Sequence, residues 1–249
     1  MNLKKMAYRT IEFSRKVAFN GMRKEATHYI LPDLPSAITP QLRELFYKTV
    51  PTNQRIITIA ACRHTPSTLK KEIDQLDTNR ILLVGGNEKQ DASLSSEHAL
   101  TIIREHSNLI PWCVWDPNSV DSQNRLLDKQ QAGAMGVVTQ PLFTTRAWNN
   151  IQTVDINIEC IAGIPLISSR KNFMFWLDLL EGDTESFISD PVLCHSLDYF
   201  HEPMTQQNAP LLYANSYLEQ LLSLEVVQGV HFMPMNNTKV LNNILTDNF

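Results

Sequence analysis

Glycine is scarce in this chain, with 8 residues in 249, against the roughly 7% usual for globular proteins. That shortage disfavours a fold built on many tight glycine turns. The sequence has no G-x-G-x-x-G, no G-x-x-x-x-G-K and no G-x-S-x-G, so dinucleotide-fingerprint, P-loop and nucleophile-elbow readings lack local support. Cysteine is also sparse. Cys62, Cys113, Cys160 and Cys194 are scattered and never spaced as C-x-x-C, unlike a zinc ribbon, a thiol-redox centre or a disulfide framework. Basic charge is not in excess: 22 Lys and Arg stand against 26 Asp and Glu, for a net charge of −4. A dedicated nucleic-acid binder is usually basic. No apolar run approaches the ~18 residues of a membrane span. The start, MNLKKMAYRTIEF, carries lysines without an apolar segment behind them, so it does not read as a secretory leader. Unpaired scattered thiols suit a reducing compartment. The expectation is a cytoplasmic protein with neither nucleic-acid nor membrane partners.

What the chain does have is alternation. Brief apolar or β-branched runs fall at Tyr8–Phe13, Thr27–Leu31, Arg55–Ala61, Arg80–Val84, Ile110–Trp115, Gly136–Thr139, Asn157–Ala162 and Gly229–Met233. Each is bounded by turn residues, as buried parallel strands should be. The intervals predict helices over Pro40–Val50, Pro66–Leu76, Leu94–His106, Asp121–Ala132, Thr144–Thr153, Lys171–Leu180 and Ala209–Val227. Thr39-Pro40 and Thr65-Pro66 supply a cap followed by proline in the first turn. Leu69, Ile73 and Leu76 recur at helical spacing.

Strand–helix alternation predicts a parallel sheet covered by helices. Eight such units in 249 residues match a single (β/α)8 TIM barrel spanning 1–249. A doubly wound open sheet is the competitor, but it needs fewer strands and usually a glycine fingerprint. Only Ser14 to Ala26 separate the first two strands, so the first β–α crossover should be shortened and its helix truncated or irregular.

In such barrels chemistry sits at the C-terminal ends of the strands. Period-two alternation puts Ile11 and Phe13 on one face of strand one, with Thr10 and Glu12 on the other. If Ile11 and Phe13 meet the outer helices, Glu12 points into the mouth. A carboxyl group there is costly unless it is paired or its raised pKa is useful. A solvated or salt-bridged strand-end glutamate is the plainer alternative. Gln140, closing GVVTQ, offers a planar donor and acceptor suited to a heterocycle edge, or simply satisfies backbone groups. Asn87 follows Gly85 and Gly86, where missing side chains let a flat ligand approach; a plain turn explains the same residues. Asp116-Pro117-Asn118 reads as a turn. His231, on an apolar strand, reads better as a satisfied core histidine than as a base, and Asn236 beyond it is better placed for ligand contact. Cys194 to Glu202 (CHSLDYFHE) has metal-ligand residue types but no H-E-x-x-H arrangement. It reads as a polar helix or loop surface, and no metal site is expected.

Taken in order, Ile11-Glu12-Phe13, the run GVVTQPLF from Gly136, the run IAGIPLISSRKNFMFWLDLL from Ile161, and GVHFMPMNN from Gly229 resemble the methylenetetrahydrofolate reductase family. Ala132-Gly133-Ala134 before strand six fits the same pattern. The resemblance implies a (β/α)8 barrel reducing 5,10-methylenetetrahydrofolate to 5-methyltetrahydrofolate with NAD(P)H as hydride donor. It implies Glu12 and Asn87 as catalytic residues, with Thr139, Gln140, Phe143 and Asn236 on the substrate. Cofactor contacts would come from Gly85, Gly86, Trp115, Asp116 and Lys129. Flavin-dependent members carry R-G-D where this chain has Gly85-Gly86-Asn87, a histidine where it has Ile59, and a Tyr-Pro-Glu loop where it has Trp115-Asp116-Pro117-Asn118. THYILPDLP from Thr27 and the helix NFMFWLDLL from Asn172 look more like the flavin-free branch, so FAD is not expected. A flavin-dependent reductase and a non-catalytic folate-binding or partner-subunit barrel are the alternatives. Phe173, Phe175 and Trp176 hint at a homo-oligomer interface, and a core helix explains them equally well.

Overall fold

Eight parallel strands close on themselves in the computed structural model, in the order β1-β2-β3-β4-β5-β6-β7-β8. The structure describes residues 3–33, 38–86, 93–180, 189–200, 208–234 and 237–247. The strands are β1 (Tyr8–Glu12), β2 (His28–Leu31), β3 (Arg55–Ala60), β4 (Arg80–Val84), β5 (Ile110–Trp115), β6 (Gly136–Thr139), β7 (Glu159–Pro165) and β8 (Gly229–Met233). Closure comes from β8 lying beside β1, with Thr10 opposite His231 and Ile11 opposite Phe232. The chain is a (β/α)8 barrel.

The outer shell follows from caps and apolar faces. Its helices are α1 (Arg15–Phe19), α2 (Pro40–Thr49), α3 (Pro66–Ile73), α4 (Ser96–His106), α5 (Ser122–Ala132), α6 (Thr145–Thr153), α7 (Arg170–Leu179), α8 (Pro191–Asp198), α9 (Ala209–Leu222) and α10 (Thr238–Asp247). Ser14, Thr39, Thr65, Ser95, Thr144 and Ser169 each accept a first-turn backbone N–H, interactions worth about 1 kcal/mol apiece. The shortened first crossover is real, because α1 has only five residues. No helix among the described residues is long and apolar enough to cross a membrane.

Several element ends differ from the sequence reading by a few residues. β7 runs on to Pro165, because Ile164 and Pro165 still pair with Phe232 and Met233 of β8. α9 stops at Leu222 rather than Val227. The segment from Cys194, read as a polar helix or loop surface, begins within the helix α8, which is started by Asp190, whose carboxylate accepts from Val192 and Leu193 N–H with Pro191 in the first turn. Cys194, on that helix, is exposed, whereas Cys62, Cys113 and Cys160 are buried.

Strand alternation creates two apolar compartments. Ile11 and Phe13 join the core between strands and helices, while Ile30, Ile56, Leu82, Trp112, Val138 and Ile161 fill the barrel interior. Below that layer a polar–aromatic plug closes the N-terminal end. Tyr8 donates to Glu159, Trp112 Nε1 donates to Glu159 Oε2 at 2.8 Å, and the Arg80 guanidinium lies 4.7 Å from the Trp112 ring centroid. With that end filled, open space is left at the C-terminal mouth.

Candidate active site

The mouth holds a cavity of about 220 Å³. Its floor is apolar, formed by Ile30, Leu82, Val114 and Val138, while Glu12, Asp33, Thr58, Gln140 and His231 bring polar groups to it. Trp176 and Leu179 of α7 lie over it. Glu12 therefore points inward, as expected once Ile11 and Phe13 pack against the helices. It meets Gln140 in one cavity although the two residues end different strands, β1 and β6.

Glu12 has an unusual environment for a carboxyl group. Burial raises its pKa from 4.5 to about 7, because the apolar floor offers poor solvation for the anion. It is therefore partly protonated near neutrality. His231 answers the same low-dielectric environment in the opposite way. Burial lowers its pKa to about 3, so its ring is neutral, and Nδ1 is held 2.8 Å from Thr10 Oγ1. A partly protonated acid and a neutral imidazole thus line one wall, contributed by adjacent strands.

Asp33 was not anticipated. Its Oδ2 accepts from Ala60 N at 3.0 Å, and its Oδ1 pairs with Arg63 at 2.8 Å. This pair ties the segment after β2 to the end of β3. Thr58 is also new: its hydroxyl is buried on the cavity wall with no hydrogen-bond partner among the described residues.

Thr139 does line the cavity, with its Oγ1 accepting from Gly163 N at 3.0 Å. Gly163 must be glycine there, since a Cβ would overlap the Thr139 carbonyl oxygen. Gln140 is held at its backbone, N–H to Trp115 O at 2.7 Å, leaving the amide side chain on the cavity. Asn118 sets the chain beyond it. The Asn118 amide donates to Pro141 O at 2.8 Å and accepts from Phe143 N at 3.2 Å.

Other candidates lie elsewhere. Phe143 is fully buried outside the barrel wall, its ring 5.0 Å from that of Phe173. Trp115 sits in the same outer core and donates to Ser122 O at 2.9 Å. Asp116 accepts from the Asn118 backbone and side chain. Lys129 donates to Val114 O at 2.8 Å. Gly85 O accepts from Cys62 N at 3.0 Å, and Gly86, at φ +82°, packs where a Cβ would overlap the Cys62 sulfur. None of these six lines the cavity. The residues expected to contact a cofactor are thus engaged in folding the β4 and β5 ends, away from the cavity. Asn87 and Asn236 lie outside the described residues. Among the described residues no cluster of three His, Cys, Asp or Glu side chains could hold a metal ion.

No protein-family model matches this chain, and no curated protein matches it either. Solved structures do. An uncharacterised protein from Clostridium thermocellum that binds two copies of 5-methyl-5,6,7,8-tetrahydrofolic acid superposes with a TM-score of 0.62 at 15% identity. The match covers 98% of this chain and 96% of that one. A 2,3-dimethylmalate lyase of the PEP mutase/isocitrate lyase superfamily gives 0.52 at 8% identity, covering 99% and 82% of the two chains. A phosphonopyruvate hydrolase gives 0.51 at 7%, covering 98% and 80%. At these identities the likeness is one of fold.

Proposed function

We propose that this chain binds a reduced folate in the barrel mouth and reduces 5,10-methylenetetrahydrofolate to 5-methyltetrahydrofolate, with Glu12 as the acid. The observation that carries this reading is a carboxyl group with a pKa near 7 sharing one cavity with the Gln140 amide. The ligand of the Clostridium thermocellum protein, which is the product of this reaction, supports the substrate class.

The chemistry asked of the chain is modest. The five-membered bridge of the folate must open before the one-carbon unit can accept a hydride. Glu12 donates its proton to the arylamine nitrogen of the bridge, and the bond from that nitrogen to the methylene carbon breaks. The ring nitrogen that keeps the carbon then carries an iminium. A nicotinamide cosubstrate supplies the hydride to that carbon. Glu12 regains a proton from solvent. A free glutamate is almost wholly ionised at neutrality, whereas a pKa near 7 balances having the proton against releasing it. Gln140 fixes the pterin edge through its paired donor and acceptor, and Asp33 accepts from the ring amino and amide N–H groups. This reading uses no flavin, since the hydride passes directly from the nicotinamide.

A second reading is a folate-binding barrel without turnover. Ligand pockets usually run from ~300 Å³ upward, and the cavity of about 220 Å³ accommodates a pterin with little room for a nicotinamide beside it. One experiment separates the readings. Purified protein is given 5,10-methylenetetrahydrofolate with NADH or NADPH, and nicotinamide oxidation is followed beside calorimetric folate binding. Turnover that falls about 100-fold or more in Glu12→Gln, with binding retained, is expected of the acid. Binding without turnover selects the second reading, and absence of folate binding ends both.

A further inference from the structure

A second cavity of about 210 Å³ lies outside the barrel, between α6, α8 and α9. It shares no lining residue with the mouth. We propose that it is a binding site for a neutral, bicyclic heteroaromatic ring of the pterin or purine kind. The inference does not depend on the folate reading of the mouth.

Four linked aromatic rings build its wall. Trp148 and Tyr217 have centroids 5.6 Å apart, Tyr217 and Tyr213 5.9 Å, and Tyr213 and Tyr199 5.7 Å. Tyr217 is anchored at its polar end: its hydroxyl accepts from Leu142 N at 2.6 Å and donates to Gly163 O at 3.3 Å. Tyr217, held at both ring and hydroxyl, is preorganised, so little ordering of that ring is left for a ligand to impose. The Trp148 indole N–H is buried and has no acceptor among the described residues. Buried donors are normally satisfied, so a ligand acceptor brought to this wall by a small ring adjustment completes it.

Charge narrows the occupant. Among the described residues no Asp, Glu, Lys or Arg lines the cavity, and His195 beside the Tyr199 ring is its one side chain able to carry positive charge, so a phosphate or carboxylate would be desolvated without a permanent counter-charge. A quaternary ammonium could use the ring faces, but it would leave the indole donor and the Gln220 amide without partners. A flat heterocycle uses both: its face lies on aromatic rings, and its edge meets Ser196, Ser216 and Gln220. The volume is that of a bicyclic ring without a long tail.

The test reads the four tryptophan indole N–H signals by NMR while biopterin, adenine or choline is titrated into the whole protein. Trp148 reports this cavity and Trp176 reports the mouth; assignments come from Trp148→Phe and Trp176→Phe. The expected result is a saturable shift of the Trp148 signal with biopterin or adenine and none with choline. Ser216→Phe, which fills the cavity, should abolish that shift while the Trp112, Trp115 and Trp176 signals report an intact fold. Should Ser216→Phe not fold, the exposed Gln220→Ala should weaken the Trp148 response about tenfold, the usual effect of one lost hydrogen bond. A Trp148 signal that ignores both heterocycles, answers choline instead, or is unchanged in the variants overturns the proposal. The Trp176 signal keeps that outcome separate from the fate of the mouth.

Discussion

Thr10 and His231 face each other across the β1–β8 seam as register partners, joined by a 2.8 Å hydrogen bond between Oγ1 and Nδ1. The strands that close the barrel are thus linked by a polar contact directly beneath Glu12. Because the imidazole is buried and neutral, Thr10→Val leaves Nδ1 without a partner. A buried unsatisfied group costs about 1–3 kcal/mol, and urea unfolding of the variant should show a loss of that size. An unchanged midpoint would mean that this bond contributes nothing to closure.

Glu12 and His231 drive stability in opposite directions with pH. The folded Glu12 holds its proton up to about pH 7, whereas the unfolded carboxyl releases it near 4.5. The folded state is therefore penalised as pH rises from 4.5 to 7, by a difference that reaches about 3 kcal/mol. Glu12→Gln removes that penalty. The variant should match wild type near pH 4.5 and exceed it by up to ~3 kcal/mol above pH 7. Equal stability at both ends of that range would show that the carboxyl is not desolvated. His231 acts the other way: its folded pKa is near 3 against 6.5 in the unfolded chain. Stability it allows at neutrality is lost as pH falls below 6.5. The comparison of wild type with Glu12→Gln cancels this contribution.

The architecture was legible because burial on both faces leaves a strong mark on sequence. Each strand is an apolar run, and in β1 the pair Ile11 and Phe13 identifies the outward face, which fixes the direction of Glu12. Asp33 was not legible. It lies beyond β2 between prolines, and its partners Ala60 and Arg63 come from another strand end. Trp115 and Phe143 illustrate a different limit. An aromatic side chain near a strand end serves equally well to stack a ligand or fill a core, and only packing against Phe173 and Ser122 distinguishes the two.

Gly163 is required where β7 passes β6. Gly163→Ala would drive a methyl group into the Thr139 carbonyl oxygen, which is backbone and has no rotamer to escape to. Overpacking of this kind costs about 1–3 kcal/mol or more. It should also displace Thr139 and Gln140 together. Thermal unfolding should show a lowered midpoint, and calorimetry should show weakened folate binding in whatever remains folded. A variant with wild-type midpoint and affinity would place the strands further apart than they are found.

Asp33→Ala removes the acceptor for Ala60 N–H and the partner of Arg63. Charge-assisted hydrogen bonds are the stronger kind, so the mouth wall loosens and the proposed acceptor for the pterin edge is lost. Folate affinity should fall about tenfold or more. Asp33→Asn should recover part of it, because the amide oxygen still accepts. Full affinity in Asp33→Ala would remove this residue from the site.

The proposed reaction requires Glu12 to keep its proton to near neutrality inside a cavity that receives a reduced folate. Its side-chain carboxyl carbon can be followed by NMR across pH, in free protein and with 5-methyltetrahydrofolate added. The expected result is a midpoint near 7 in the free protein and a displaced midpoint when the folate is bound. A midpoint near 4.5 that the folate does not move would remove Glu12 as the acid.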